Sequence, residues 1–136
     1  MILDGNMPKV GNETDMLGVR VAPHPKNDIL VDSGGNVQSQ TGGPSVAPEL
    51  RKLPSFLIPK RLKPLIPDAC GSNKLSCWCM GEGPFQAGGL TGDLDFRPDP
   101  DDVTSHGFIE PKVSMSIEKF REAVAFTQDQ WVIDEK

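Results

Sequence analysis

The chain has 136 residues, 37% of them hydrophobic and 24% charged, with a net charge of −5 at pH 7. A chain of that length suits one domain that buries roughly two thirds of its unfolded surface, so a hydrophobic core is within reach without metal or disulfide staples. The acidic balance excludes a general nucleic-acid binder, whose footprint is basic, and 14 glycines with 13 prolines predict many turns without a low-complexity tract.

Residues 1–16 are polar and aperiodic, and read as a loose or docked N-terminal segment. They show no basic start followed by an apolar run, so no cleavable signal is expected. No segment approaches the ~20 apolar residues of a membrane span. The expectation is a soluble cytoplasmic domain that would need a dedicated apparatus to leave its cell. Leu17 to Ala22 alternates in part, with Leu17, Val19 and Val21 on one face and Arg20 on the other. This predicts a short strand that Pro23 and Pro25 end. Asp28 to Asp32 encloses the apolar run Ile29-Leu30-Val31, suited to a buried strand. The stretch DSGGNVQSQTGGPSV that follows is turn-dense, as in a hairpin or a ligand-facing loop.

Five prolines, at 48, 54, 59, 64 and 67, exclude a long regular helix there. A meander with one helical turn near Ala47 to Leu50 is predicted instead. Further strands are predicted over Leu75 to Met80, around Leu94 and Phe96 as an edge strand, and over His106 to Pro111, where Phe108 and Glu110 share a face. A helix is predicted from about Ile117 to Trp131. Ser116 is a good N-cap, Glu118 complements the helix dipole, and Ile117, Phe120, Val124 and Trp131 recur at helical spacing.

The cysteines, Cys70, Cys77 and Cys79, are odd in number and spaced C-x6-C-x-C, which matches no common zinc pattern; free thiols and no metal are expected. Arg51, Lys52, Lys60, Arg61 and Lys63 form a basic stretch, and Asp93, Asp95, Asp99, Asp101 and Asp102 an acidic one. Both suit solvated loops, and the basic one would also suit a rim that attracts a phosphate-bearing ligand or an acidic partner.

P-loop, dinucleotide-binding G-x-G-x-x-G, G-x-S-x-G and H-E-x-x-H signatures are all missing. What stands out is three polar residues in tight local frames: Arg20 in GVRVAP, Ser45 in TGGPSV and His106 in HGFIEP. Each alone has a plain structural account, as a strand cation, a turn hydroxyl and a strand-start residue.

Taken in order, these stretches and the helix after them resemble the type VI secretion exported toxin family with an ADP-ribosyltransferase-like fold. The T-G-G-x-S-V and H-x-x-I-x-P pieces are the more specific, and the resemblance spans about residues 17–131. It implies a single α+β domain over residues 1–136, a split antiparallel sheet with a packed C-terminal helix, and NAD as the substrate. It also implies a cognate immunity protein and site residues Arg20, Ser45 and His106, with Thr41, Gly42 and Gly43 beside Ser45 at the cofactor. Cleaving the nicotinamide–ribose bond generates an oxocarbenium-like cation. Arg20 would hold the pyrophosphate, Ser45 and His106 would clamp ribose hydroxyls, and Gly42 and Gly43 would let the backbone approach the dinucleotide. Glu110, the nearest carboxylate in sequence, is the expected stabiliser of the cation. The chain has no Tyr, which excludes the His-Tyr-Glu form of the superfamily, and no Glu-x-Glu. The alternatives are a degenerate domain that binds a nucleotide or protein without catalysis, and a small immunity protein.

Overall fold

Ser116 ends an extended segment and starts a helix because its hydroxyl accepts a hydrogen bond from the amide of Lys119. Around that helix the computed structural model, which describes residues 1–136, is an α+β fold of short antiparallel sheets. In chain order the elements are β1 (Leu3–Asp4), β2 (Met7–Pro8), β3 (Asn36–Val37), β4 (Ser45–Val46), β5 (Trp78–Met80), β6 (Gly88–Thr91), β7 (Leu94–Pro98), β8 (Gly107–Pro111), β9 (Met115–Ser116), α1 (Ile117–Ala125) and β10 (Trp131–Ile133). The largest sheet has four strands in the order β4-β8-β7-β6, and three two-stranded sheets pair β1 with β2, β5 with β10 and β3 with β9.

The main core gathers one face of β7 and β8, through Leu94 and Ile109, against Phe120 and Val124 of α1. Phe120 is 0% exposed. Leu17, Val19, Ile29, Val37 and Trp131 complete this core. A second, smaller cluster of Ile58, Ile66, Ala69 and Cys77 lies under the proline-rich segment, where three single 3-10 turns, Leu50–Lys52, Ser55–Leu57 and Lys60–Leu62, replace the one turn expected nearer Ala47. No helix is long and apolar enough to cross a membrane.

The N-terminal segment takes the docked alternative: β1 and β2 form a hairpin, and the Met1 amino group donates to the carbonyl of Ser76 at 2.9 Å. Burial is the main cause that pushes the pKa of this amino group below its ordinary value. Three other expectations are corrected. Residues 17–22 and 28–32 supply buried side chains, but neither is a ladder strand; each makes one isolated bridge, Leu17 to Val10 and Ile29 to Gly42. β7 is an inner strand, not an edge, because β6 covers its outer side. The helix stops at Ala125. Thr127 turns its hydroxyl back onto the carbonyl of Val124 at 2.7 Å, and Trp131 leaves the helical line to pair with Met80 in β10.

Candidate functional site

Ser45 and His106 reach one face of the same sheet through strand register. β4 and β8 pair Ser45 with Phe108, and β7 and β8 pair Arg97 with Phe108 and Pro98 with Gly107. The next pair along is Asp99 with His106, joined by the amide of Asp99 donating to the carbonyl of His106 at 3.0 Å. Side chains two residues apart on a strand share a face, so Asp99, His106, Phe108 and Ser45 lie on one side, opposite the core residues Leu94 and Ile109.

His106 is held from two directions. Its Nδ1 lies 2.8 Å from Oδ2 of Asp99. Its ring meets that of Phe108 edge to face, with centroids 4.8 Å apart. The hydrogen bond from His106, followed by one from the amide of Asp101, holds the Asp99 carboxyl below the usual carboxylate range. Ser45 is exposed, and its hydroxyl makes no hydrogen bond within the protein. That leaves it available to a ligand.

Ser45 and His106 open onto a cavity of about 600 Å³, within the roughly 300–1,000 Å³ range of small-molecule sites. Its lining includes Arg20, Ser45, Ser105 and His106 together with Lys52, Phe56 and Leu57 of the proline-rich segment. A second cavity of about 820 Å³ continues past Arg20, Ser45 and Leu57 towards Trp78, Phe85 and Trp131. Arg20, Ser45 and His106, from three distant segments, therefore line one concavity.

Arg20 sits there in an unexpected state. Its Nε is 2.9 Å from Oδ2 of Asp28, its Nη2 donates to Oδ1 at 3.2 Å, and its Nη1 donates to the carbonyl of Glu13 at 2.9 Å. The Arg20 and Asp28 side chains are 10% and 11% exposed. Most of the guanidinium's donors are engaged within the protein, where the pair with Asp28 closes the 20–28 loop. Two other cations of the cavity wall, Lys26 and Lys52, make no ion pair. Lys26 Nζ lies 5.6 Å from the centroid of the exposed Phe56 ring.

Glu110 is engaged in the same way. It shares a face with Phe108, as expected, but it is 4% exposed and lines neither cavity. Its Oε2 accepts from Nε of Arg97 at 2.9 Å and from the amide of Gln40 at 3.0 Å. Gln40, the one non-glycine residue with positive φ (65°), heads the loop that leads into Ser45, so Glu110 pins that loop. Gly42 and Gly43 do permit a close approach, but to protein backbone. A Cβ on Gly42 would fall 2.5 Å from the carbonyl oxygen of Asp28, and one on Gly43 would overlap that of Ile109. Thr41 donates its hydroxyl to the carbonyl of Gln38 and lines neither cavity.

Of the cysteines, Cys77 is buried, Cys79 partly buried and Cys70 exposed, and no three His, Cys, Asp or Glu side chains cluster to hold a metal ion. Burial, then the negative charges of Glu135 and Asp134 respectively, pushes the Cys77 and Cys79 thiols up. Asp99 and Asp28 are the site residues that sequence reasoning missed. Asp99 was within reach, since two antiparallel strands at 94–98 and 107–111 put residue 99 opposite 106. Comparison with family models, curated proteins and solved structures returned no match.

Proposed function

We propose that the 600 Å³ cavity is the site of an NAD-directed toxin domain of the ADP-ribosyltransferase-like kind, which transfers ADP-ribose or cleaves NAD in a target-cell cytoplasm. The observation that carries this reading is the meeting of Arg20, Ser45 and His106 around one cavity of small-molecule size. His106 and Ser45 supply hydrogen-bonding groups for ribose hydroxyls. The unpaired Lys26 and Lys52 take over the phosphate role from Arg20. Asp15 and Asp102, cavity carboxylates that accept no hydrogen bond from a protein donor, take over from Glu110 as stabilisers of the oxocarbenium-like cation. A cognate protective protein is the expected partner, and a secretion apparatus the expected route.

Expression in a bacterial host tests this. The wild-type chain should arrest growth and deplete cellular NAD, while Ser45→Ala and His106→Ala should do neither at equal protein level. Unchanged growth and NAD with the wild-type chain would count against the toxin reading. A second reading, a degenerate domain that binds a nucleotide or protein without turnover, is favoured by the engagement of Arg20 with Asp28 and of Glu110 with Arg97. It predicts ligand binding with no loss of NAD.

A further inference from the structure

The face shared by β7, β8 and β4 carries a carboxylate, an imidazole and a hydroxyl in a row across three neighbouring strands: Asp99, His106 and Ser45. Asp99 lies directly across from His106, and the two side chains meet at 2.8 Å. An ionised carboxylate can only accept, so Nδ1 of His106 is the donor of this contact, and in the neutral ring Nε2 is the nitrogen left with a lone pair. Ser45 lies on the far side of β8, opposite Phe108, which places it diagonal to His106, with a spacing of roughly 7–8 Å between such neighbours. The His106 ring packs along the strand against Phe108, towards the level of Ser45. Both residues line the same cavity, and the Ser45 hydroxyl makes no hydrogen bond within the protein.

Asp99 is itself fixed. Its Oδ1 accepts from the amide of Asp101 at 2.9 Å, and the 99–106 loop is closed by the amides of Asp102 and His106, which donate to the carbonyls of Asp99 and Asp102. The acid therefore has a rigid seat, the second ring nitrogen makes no hydrogen bond within the protein, and a free hydroxyl lies on the same sheet face, diagonal to it. These are the parts of a base-activated nucleophile, whose contacts are often loose before a ligand binds.

We infer that Asp99, His106 and Ser45 form a nucleophilic row in which Ser45 attacks an activated ester or phosphonate bound in the cavity. His106 Nε2 takes the Ser45 proton as Oγ bonds to the electrophilic carbon or phosphorus. The proton then goes to the leaving alkoxide, and water, deprotonated by the same nitrogen, releases the acyl group. Lys26 and Lys52 lie in the same cavity to offset the anionic charge that develops. Asp99 acts through His106 and is a positioning residue. This activity goes beyond the NAD reading and does not require it.

The test is labelling of the purified chain with an alkyl fluorophosphonate, read by peptide mass mapping; here the Oγ–P bond forms and fluoride leaves. An adduct on Ser45 is expected, absent in Ser45→Ala, and formed about 100-fold or more slowly in Asp99→Asn and in His106→Gln. No adduct, an adduct on Ser105 instead, or an unchanged rate in Asp99→Asn overturns the inference. Should either variant fail to fold by circular dichroism, nitrogen-15 NMR of wild-type His106 decides: the Nδ1–H tautomer supports the row and the Nε2–H tautomer overturns it. Labelling uses no NAD, so its failure and that of the NAD reading are separate results.

Discussion

Arg20 grips Asp28 at both carboxylate oxygens, and Asp28 returns the contact by accepting from the amide of Arg20 at 2.7 Å. The pair closes the excursion of residues 21–27 over Pro23 and Pro25, and both members line the cavity. Removing the cation leaves a nearly buried carboxylate with only the residue-20 amide as donor, so Arg20→Ala is expected to cost about 3 kcal/mol, the low end for a broken buried pair. The urea midpoint should fall with an unchanged slope. A stability within 0.5 kcal/mol of wild type, the usual scatter of surface substitutions, would return Arg20 to the role of a free, ligand-facing cation.

Glu110 should behave as a structural residue. Glu110→Ala leaves the Arg97 guanidinium and the amide of Gln40 without their acceptor, at a cost of about 1–3 kcal/mol. Glu110→Gln keeps an acceptor oxygen and should retain any NAD turnover that the wild type shows. Complete loss of turnover in a folded Glu110→Gln protein would make this carboxylate catalytic after all.

The helix prediction concerns Phe120, which is fully buried in the main core. Phe120→Ala should destabilise by about 3–5 kcal/mol. Thermal unfolding of the purified variant reads this directly; a melting temperature equal to the wild type's would mean that α1 does not seal the core.

Acid should act through Asp99. Its pKa is lowered on folding, first by the His106 hydrogen bond and then by that from Asp101. A carboxyl of this kind contributes stability that is present above its ordinary pKa, about 3.9, and lost as pH falls through the lower folded value. Asp32 adds to the same trend, since hydrogen bonds from the amide of Asn36, from Gln38 and from the amide of Gly34 lower its pKa too. Asp99→Asn should therefore flatten the fall in stability below about pH 4. A slope identical to wild type would mean that the Asp99–His106 contact is not kept in solution.

The sequence was most legible where one local rule decided the outcome. Ser116 capped the helix as its position suggested, the β8 strand ran over 107–111, and five prolines limited 48–67 to single 3-10 turns. It misled where tertiary partners decided. Trp131 sits at helical spacing from Val124, but its indole donates to the Thr127 hydroxyl at 2.9 Å and its backbone pairs with Met80, 51 positions away. No local pattern contains that partner. Leu17 to Ala22 alternates like a strand, but the neighbouring chain gives it one bridge and no ladder. The same limit applies to the site. Motif frames drew attention to Arg20, Ser45 and His106, while the partners that decide their state, Asp28 and Asp99, lie outside those frames.

The central claim, that the cavity bounded by Ser45 and His106 takes NAD, is tested most directly by incubating the purified chain with NAD and following free nicotinamide and backbone amide shifts together. The account predicts nicotinamide release and shifts concentrated at Ser45, Val46, Ser105 and His106, with release lost in folded His106→Ala and Ser45→Ala proteins. Neither nicotinamide nor any shift of those amides at millimolar NAD would contradict it.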